Sequence, residues 1–264
     1  MKNKTKLWPR LIGSWLIVIA LLFLVSFLIP KSFSATSKLV IQNTIMLLAT
    51  YLLGKFLIQI RPRFFSKSRL LSQLLVVLPV LLYLAIMVFG TAVNLSNESG
   101  NIASVFVNAA ILGLFAALFE EFYFRGLLQT AIFRAYSGAK SIYLSVFISS
   151  ILFSLSHLIV NYSPGEASGV VLQTIATFGS GLYMAALFLR TRNILWPLLL
   201  HGVNDFVSIA STGGSIAPSS TQTGGGIGLQ LITTLIFIVI ALFILRKSKH
   251  EEIISQFSEG NIQH

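Results

Sequence analysis

Long apolar stretches separated by short polar segments dominate the chain. Those long enough to cross a bilayer as helices lie at residues 11–30, 38–60, 70–93, 102–122, 141–161, 168–189, 194–210 and 225–245. The uncharged Gly/Ser-rich segment 211–226 has the composition of a flexible external connection. The sequence shows no internal repeat. The sequence therefore predicts an all-α fold, a polytopic membrane bundle of about eight transmembrane helices that forms a single domain over residues 1–264.

Composition supports the same class of protein. Hydrophobic residues make up 55% of the chain and charged residues 10%, with a mean hydropathy of +0.84, whereas soluble domains carry about 25% charged residues. There are no cysteines, which excludes a disulfide framework and a thiol nucleophile. The first apolar run, of about 20 residues, is longer than the apolar region of a signal peptide, so we expect an uncleaved anchor.

The net charge of +11 follows from membrane topology. Basic residues cluster in alternate connections, which places both termini and the tail 247–264 in the cytoplasm by the positive-inside rule, with the tail solvated. No nucleic-acid partner is needed to explain the charge. Lys31 and Lys38 fall on the other side, and Lys55 can snorkel from its helix end. The residues predicted to be cytoplasmic are Lys2, Lys4, Lys6, Arg10, Arg61, Arg63, Lys67, Arg69, Arg125, Arg134, Lys140, Arg190, Arg192, Arg246, Lys247 and Lys249.

The fourth apolar stretch ends in two adjacent carboxylates, Glu120 and Glu121, followed by Arg125. An ionisable group near the bilayer centre costs about 2.5–3.5 kcal/mol on insertion scales, so this pair indicates a function. Helical spacing places Glu120 on a face of small residues that suits a close helix contact, while Glu121 meets Arg125 at i+4. The alternative is a purely structural ion network. The small residues of that face are Ala109, Gly113 and Ala116.

Two further stretches carry histidines on polar stripes. His157 shares its stripe with Ser150, Ser154 and Asn161, and His201 precedes Asp205 and Ser208 by one and two turns. Taken singly, either histidine fits a packing role. Together with the buried acids they supply imidazole and carboxylate, the groups that activate water directly or through a metal. Neither a nucleophile-elbow serine nor the HExxH zinc signature is present.

These motifs resemble the CPBP family of intramembrane proteases, also called the CAAX-protease and bacteriocin-processing or Abi family. The family pattern is matched in order by Glu120-Glu121…Arg125, Phe153…His157 and His201…Asp205, within a core at about residues 100–210. The resemblance implies endopeptidase activity inside the membrane. Members process prenylated proteins, peptide pheromones or bacteriocins, and both glutamic and metallopeptidase mechanisms are argued for them.

The resemblance also implies roles for the matched residues. Glu120 with His157 would activate the attacking water, His201 with Asp205 would stabilise the oxyanion, and Glu121 with Arg125 would hold the geometry. In the metal-dependent alternative, Glu120, His157 and His201 would be three zinc ligands with a fourth position open for water. The cofactor is therefore either none or a divalent metal such as zinc.

Two features of this chain complicate the assignment of the family's residue roles. The family usually has Asn where Asp205 stands, and a carboxyl group donates a hydrogen bond only when protonated, so orienting His201 or binding a metal suits Asp205 better. The depths of His157 and His201, measured from Lys140 and Arg192, also differ. We expect the fourth helix to continue past Phe122 toward Arg134, because otherwise these sites would not converge.

The alternatives to a protease are a non-proteolytic immunity or regulatory membrane protein of the same fold and a proton-coupled transporter. Transporters commonly show repeats and broken helices, and the sequence has neither. We expect a bacterial plasma-membrane protein whose partners are the lipid bilayer and a membrane-associated peptide or protein substrate.

Overall fold

The computed structural model describes residues 6–60, 65, 70–96, 101–214 and 226–258. Every regular element in these ranges is helical, which confirms the predicted all-α fold. Two π-helical segments, Leu53–Ile58 and Phe122–Gln129, extend α2 and α4. The α-helices are α1 Leu7–Leu28, α2 Ala35–Leu52, α3 Leu70–Ser96, α4 Ile102–Glu121, α5 Thr130–Ala135, α6 Gly138–Val160, α7 Ala167–Thr191, α8 Leu195–Ala210, α9 Gly226–Ile244 and α10 His250–Ser258.

Seven helices in the described ranges are long and apolar enough to cross a membrane, one fewer than the predicted spans. The predicted span 194–210 is present as α8, but its 16 residues make about 24 Å of helix, shorter than a hydrocarbon core of about 30 Å. It still runs through the bundle. Asn193 before it donates to Gln73 Oε1 near the start of α3 (3.1 Å), and Gly214 after it packs against Val105 near the start of α4.

The fourth span continues as the sequence predicts. Ile102–Ala135 is one uninterrupted helix of 34 residues, made of α4, the π-helical segment Phe122–Gln129 and α5. Its first turn is capped by Asn101, whose Oδ1 accepts from the Ser104 amide (3.1 Å). It ends where Tyr136 adopts extended backbone and Gly138 takes a φ of +61°. The continuation brings Arg125 into the centre of the bundle.

The close contact between α4 and α8 depends on glycine. A Cβ at Gly113 would lie 2.8 Å from Gly202 O and 2.9 Å from Phe206 N, and Gly202 in turn faces Ala117. The predicted small-residue face is therefore a tight helix–helix contact, with one change of membership. Ala117 lies in the contact, whereas Ala116 lines a cavity beside Glu120. The contact fixes α8 against the acidic end of α4.

The start of α1 and the C-terminal helix α10 lie at the same end of the bundle. Trp8 Nε1 donates to the Tyr136 hydroxyl (3.2 Å), and the Phe133 ring packs at a tilt against Phe257 of α10, with 4.4 Å between ring centroids. The prediction of a solvated tail is wrong for α10, because Ile253 and Phe257 are buried against the bundle. These residues lie one turn apart on a single helix face, which packs while Glu251 stays exposed.

Several predictions fall on other parts of the chain. In the predicted external connection, Ser211–Gly214 form a turn, and residues 215–225 lie outside the described residues. The same holds for residues 259–264 of the tail. Among the basic residues predicted to be cytoplasmic, those outside the described ranges are Lys2, Lys4, Arg61, Arg63, Lys67 and Arg69.

Candidate active site

Arg125 is fully buried at the centre of the bundle. Its Nη1 lies 3.2 Å from Glu121 Oε1, close enough for an ion pair, and its Nη2 donates to Gly181 O of α7 (3.2 Å). The guanidinium also stacks on the Phe153 ring at 4.4 Å. These contacts leave the guanidinium one position, so the predicted Glu121–Arg125 pair is present and tied to α6 and α7.

Glu121 also holds His201, a contact that the sequence did not predict. His201 Nδ1–H donates to Glu121 Oε1 at 2.9 Å, which turns the other ring nitrogen, Nε2, toward Glu120 and Asp205. Asp205 Oδ2 lies 3.5 Å from that Nε2, beyond the distance of a normal hydrogen bond. The residue that orients His201 is therefore Glu121, where the sequence favoured Asp205. Glu121 lies directly beneath α8 because of the tight α4–α8 contact.

The hydrogen bonds of His157 define its tautomer. His157 Nδ1 lies 3.1 Å from Phe153 O, and because a carbonyl oxygen only accepts, Nδ1 carries the proton. The basic nitrogen Nε2 then faces Glu120 Oε2 at 3.8 Å. His201 Nε2 faces the same oxygen at 3.7 Å. Within the described part of the chain, Glu120 Oε2 is buried without a hydrogen-bond partner.

Three polar groups thus surround one point without touching. The separations from Glu120 Oε2 to the two Nε2 atoms exceed a hydrogen-bond length of about 2.9 Å, and one water molecule can bridge such gaps. Glu120, His157 and His201 come from α4, α6 and α8, so the structure brings together the predicted groups. Asp205 closes the fourth side with its side chain partly exposed.

The same donors are spaced more widely than the ligands of a regular tetrahedral zinc. Ligands of a tetrahedral zinc lie about 3.3 Å apart when each is about 2.0 Å from the ion, less than the 3.7 and 3.8 Å found here. No group of three or more His, Asp or Glu in the described ranges could hold a metal ion. We therefore derive no step through a metal.

Two cavities meet at the ionisable cluster, which consists of Glu120, Glu121, Arg125, His157, His201 and Asp205. The first, of about 360 Å³, lies among α3, α6, α7, α8 and α9, and the second, of about 280 Å³, lies among α1, α2, α4, α6, α7 and α8. His157, Gln173, Asp205 and Ser208 line both. Among the described residues that line either cavity, charge is confined to the ionisable cluster itself. The two cavities, together called the groove, therefore adjoin the cluster and carry no other charge in their described lining.

Sequence reasoning missed two residues that build the site. Gln173 of α7 lines both cavities and accepts from Asn161 Nδ2 (3.0 Å). A lone amide in an apolar stretch is the signal that was available for it. Gly181 carried no such signal. A Cβ there would lie 3.1 Å from Phe153 Cδ1 and 3.6 Å from Arg125 Nη2, so its glycine makes room for the buried guanidinium.

The fold and the cluster define a polytopic helical membrane protein with a buried carboxylate–imidazole site. Residues 102–207 match the family model described as type II CAAX prenyl endopeptidase Rce1-like. This match confirms the resemblance to the CPBP family and includes every residue of the cluster. Searches of curated proteins and of solved structures gave no significant match.

Proposed function

We propose that this protein is an intramembrane endopeptidase in which Glu120 and His157 activate a water molecule for attack on a peptide bond. The observation that carries the proposal is the buried Glu120 Oε2, which lacks a hydrogen-bond partner in the described chain and faces Nε2 of both His157 and His201. An acid in this setting is costly unless it has a task. Its match to the CAAX-protease pattern supplies the task.

In the proposed reaction, a water bound between Glu120 and His157 donates its two hydrogens to Glu120 Oε2 and His157 Nε2. Its oxygen forms a bond to the scissile carbonyl carbon while Glu120 takes the proton. The carbonyl π electrons move to the oxygen, which becomes the oxyanion of a tetrahedral intermediate. When the carbonyl re-forms, the C–N bond breaks, and Glu120 returns its proton to the leaving nitrogen.

His201 is placed to stabilise the oxyanion. Its Nδ1–H is held by Glu121, so a ring protonated on both nitrogens would donate Nε2–H toward the groove. A donor fixed before the reaction stabilises developing charge without reorganisation. Asp205 lies close enough to attract that imidazolium, so we assign Asp205 to electrostatic support of His201 and not to direct oxyanion donation.

The proposed substrate is a membrane-associated peptide or membrane-protein segment that lies extended through the groove. The groove walls carry no charge beyond the cluster in the described residues, and burying an unpaired charge is unfavourable. We therefore propose that the residues flanking the scissile bond are uncharged.

The decisive experiment is a cleavage assay of the Glu120→Gln variant in proteoliposomes. Glutamine keeps the size of the side chain and removes the base, so we expect kcat to fall by about 10²–10⁴-fold. Glu251→Gln, on the exposed face of the distant α10, is the matched control and should retain activity. Full activity of Glu120→Gln would overturn the assignment of the base.

A panel of membrane peptides tests the wider proposal. If the unmodified protein, folded by thermal-unfolding criteria, cleaves none of them, the result favours a non-proteolytic membrane protein of the same fold.

A further inference from the structure

The groove lies in one part of the bundle along its long axis. The second cavity is lined by later turns of α1 and α6, at Val18, Leu22 and His157. Where α2 lines it, the residues come from its early turns, at Leu39 and Asn43. Because successive spans run in opposite directions, these turns all lie toward the same end of the bundle.

The opposite end of the bundle contains the start of α1 and the helix α10, which are the described segments nearest the two termini. Arg190 Nη1 pairs with Glu252 Oε1 of α10 at 2.6 Å, Arg192 contacts the Gln256 backbone, and Arg10 near the start of α1 donates to Gln59 Oε1 (3.2 Å). Most described basic residues lie at this basic end, namely Lys6, Arg10, Arg134, Lys140, Arg190, Arg192, Arg246, Lys247 and Lys249. Of the described basic residues, Lys31 and Lys38 lie at the end nearer the groove.

Charge asymmetry of this kind orients membrane proteins with the basic end in the cytoplasm. We propose that the site attacks its peptide bond from the non-cytoplasmic half of the membrane. This inference rests on the proposed function. The substrate class is an uncharged peptide segment that has already crossed the membrane, or the outer half of a membrane-spanning helix.

The position of His157 supports this placement. His157 lies three residues before the end of α6 at Val160, about 4.5 Å of helix at 1.5 Å per residue. By contrast it lies 19 residues from the start of α6 at Gly138, about 28 Å from the basic end by the same rise. His201 lies six residues after the start of α8 at Leu195, nearer the basic end. The first cavity is nevertheless lined by the early turns of α7 and α9, at Gln173, Gly226 and Leu229, so it extends toward the end opposite the basic one.

The absence of cysteines allows a labelling experiment that does not depend on activity. Ser168 at the start of α7 and Ser248 before α10 are both exposed, and they lie at opposite ends. In intact cells, a membrane-impermeant maleimide should label the Ser168→Cys variant at once and the Ser248→Cys variant only after permeabilisation. The reverse pattern would overturn the proposal.

Cleavage is then tested with two single-span reporters that carry the same uncharged segment, one in the outer half of the span and one in the inner half. We expect cleavage of the outer reporter only, lost with Glu120→Gln. Cleavage of the inner reporter, alone or equally with the outer one, overturns the inferred side of attack. Cleavage of neither overturns the proposed function and with it this inference, while the labelling still reports the orientation.

Discussion

At the scale of single residues, Phe153 is the common neighbour of the ionisable cluster. Its ring meets the Arg125 guanidinium at 4.4 Å and the rings of His157 and His201 at 4.7 and 5.8 Å, and its carbonyl fixes the His157 tautomer. One aromatic residue thus contacts both imidazoles and Arg125, the partner of Glu121. The Phe-x-x-x-His spacing follows, because a backbone carbonyl at i−4 faces a side chain one turn later.

Arg125→Lys tests how much the Glu121–Arg125 ion pair contributes to stability. Lysine keeps the charge but lacks the planar fork that reaches both Glu121 and Gly181 O and stacks on Phe153. We expect a loss of about 1–3 kcal/mol in the free energy of unfolding, measured in detergent by thermal or chemical unfolding. Arg10→Lys, a half-buried control whose hydrogen bond to Gln59 is exposed, should change stability by less than about 0.5 kcal/mol; an equal loss in both variants would show that Arg125 has no special role.

At the scale of helices, the α4–α8 contact sets the distance between Glu121 and His201. Gly113→Ala places a methyl group 2.8 Å from the Gly202 carbonyl oxygen, so the two helices must move apart. Overpacking of this kind costs about 1–3 kcal/mol, and we expect both a lower Tm and a lower kcat.

The control for this variant is Gly13→Ala in α1, where a Cβ would meet nothing within 4 Å. An alanine there should be neutral or stabilise the helix by up to about 1 kcal/mol. If Gly113→Ala behaves like Gly13→Ala, the contact does not limit the approach of the two helices.

The docking of α10 should depend on pH. Partial burial of Glu252 opposes its ionisation, but the hydrogen bonds and charges of Arg190 and Lys249 outweigh this effect and hold the pKa of its carboxyl below the ordinary value of 4.5. The ionised form therefore stabilises docking above that value, and the contribution disappears as the pH falls through the lowered pKa.

Hydrogen exchange of the α10 amides at neutral and acidic pH measures this effect. We expect lower protection factors, which are exchange rates corrected for the intrinsic effect of pH, at acidic pH in the unmodified protein. Glu252→Gln should show lower protection than the unmodified protein at neutral pH and no change of protection with pH. A change of protection with pH that persists in this variant would assign the effect to another group.

At the scale of the whole molecule, the uncharged groove predicts substrate selection. Placing Lys or Asp beside the scissile bond of a cleaved peptide should cost about 2.5 kcal/mol or more, close to a hundredfold in kcat/KM. Peptides with Met in place of the Lys and Asn in place of the Asp are the controls of similar size and should be cleaved. Cleavage of the charged peptides at the rate of these controls would contradict an uncharged groove.

The apolar pattern was enough to predict the helical class and the positions of most helices, because span length is set by the bilayer. The predicted stretch 194–210 matches the short α8, Leu195–Ala210, but the pattern did not predict that the ends of α8 pack beside Gln73 and Val105. The seam of small residues on α4 and the continuation to Arg134 were predictable from spacing. The burial of Ile253 and Phe257 was not, because the tail is polar on average and only its helical face is apolar.

The predicted cluster residues meet in space, yet their pairing was only partly predictable. Spacing along one helix gave Glu121 with Arg125. The Glu121–His201 hydrogen bond joins α4 and α8. Their relative rotation depends on Gly113 and Gly202, and it cannot be predicted from the sequence of either helix alone. The role of Gly181 is likewise set by α6 and the Arg125 side chain rather than by its neighbours in sequence.

The π-helical segment Phe122–Gln129 lies between α4 and α5 in one long helix. It changes the rotation of α5 relative to α4 about the axis of that helix. A π-helical turn accommodates an extra residue relative to an α-helix, and each residue corresponds to about 100° of rotation. The part before it directs Glu120 toward the groove, the last residue of the segment, Gln129, donates from Nε2 to Ala185 O of α7 (2.9 Å), and the part after it, α5, packs against α6. Deleting a single residue here would turn α5 away from α6 while leaving every side chain of the cluster in the sequence. The length of this segment is therefore constrained independently of its composition.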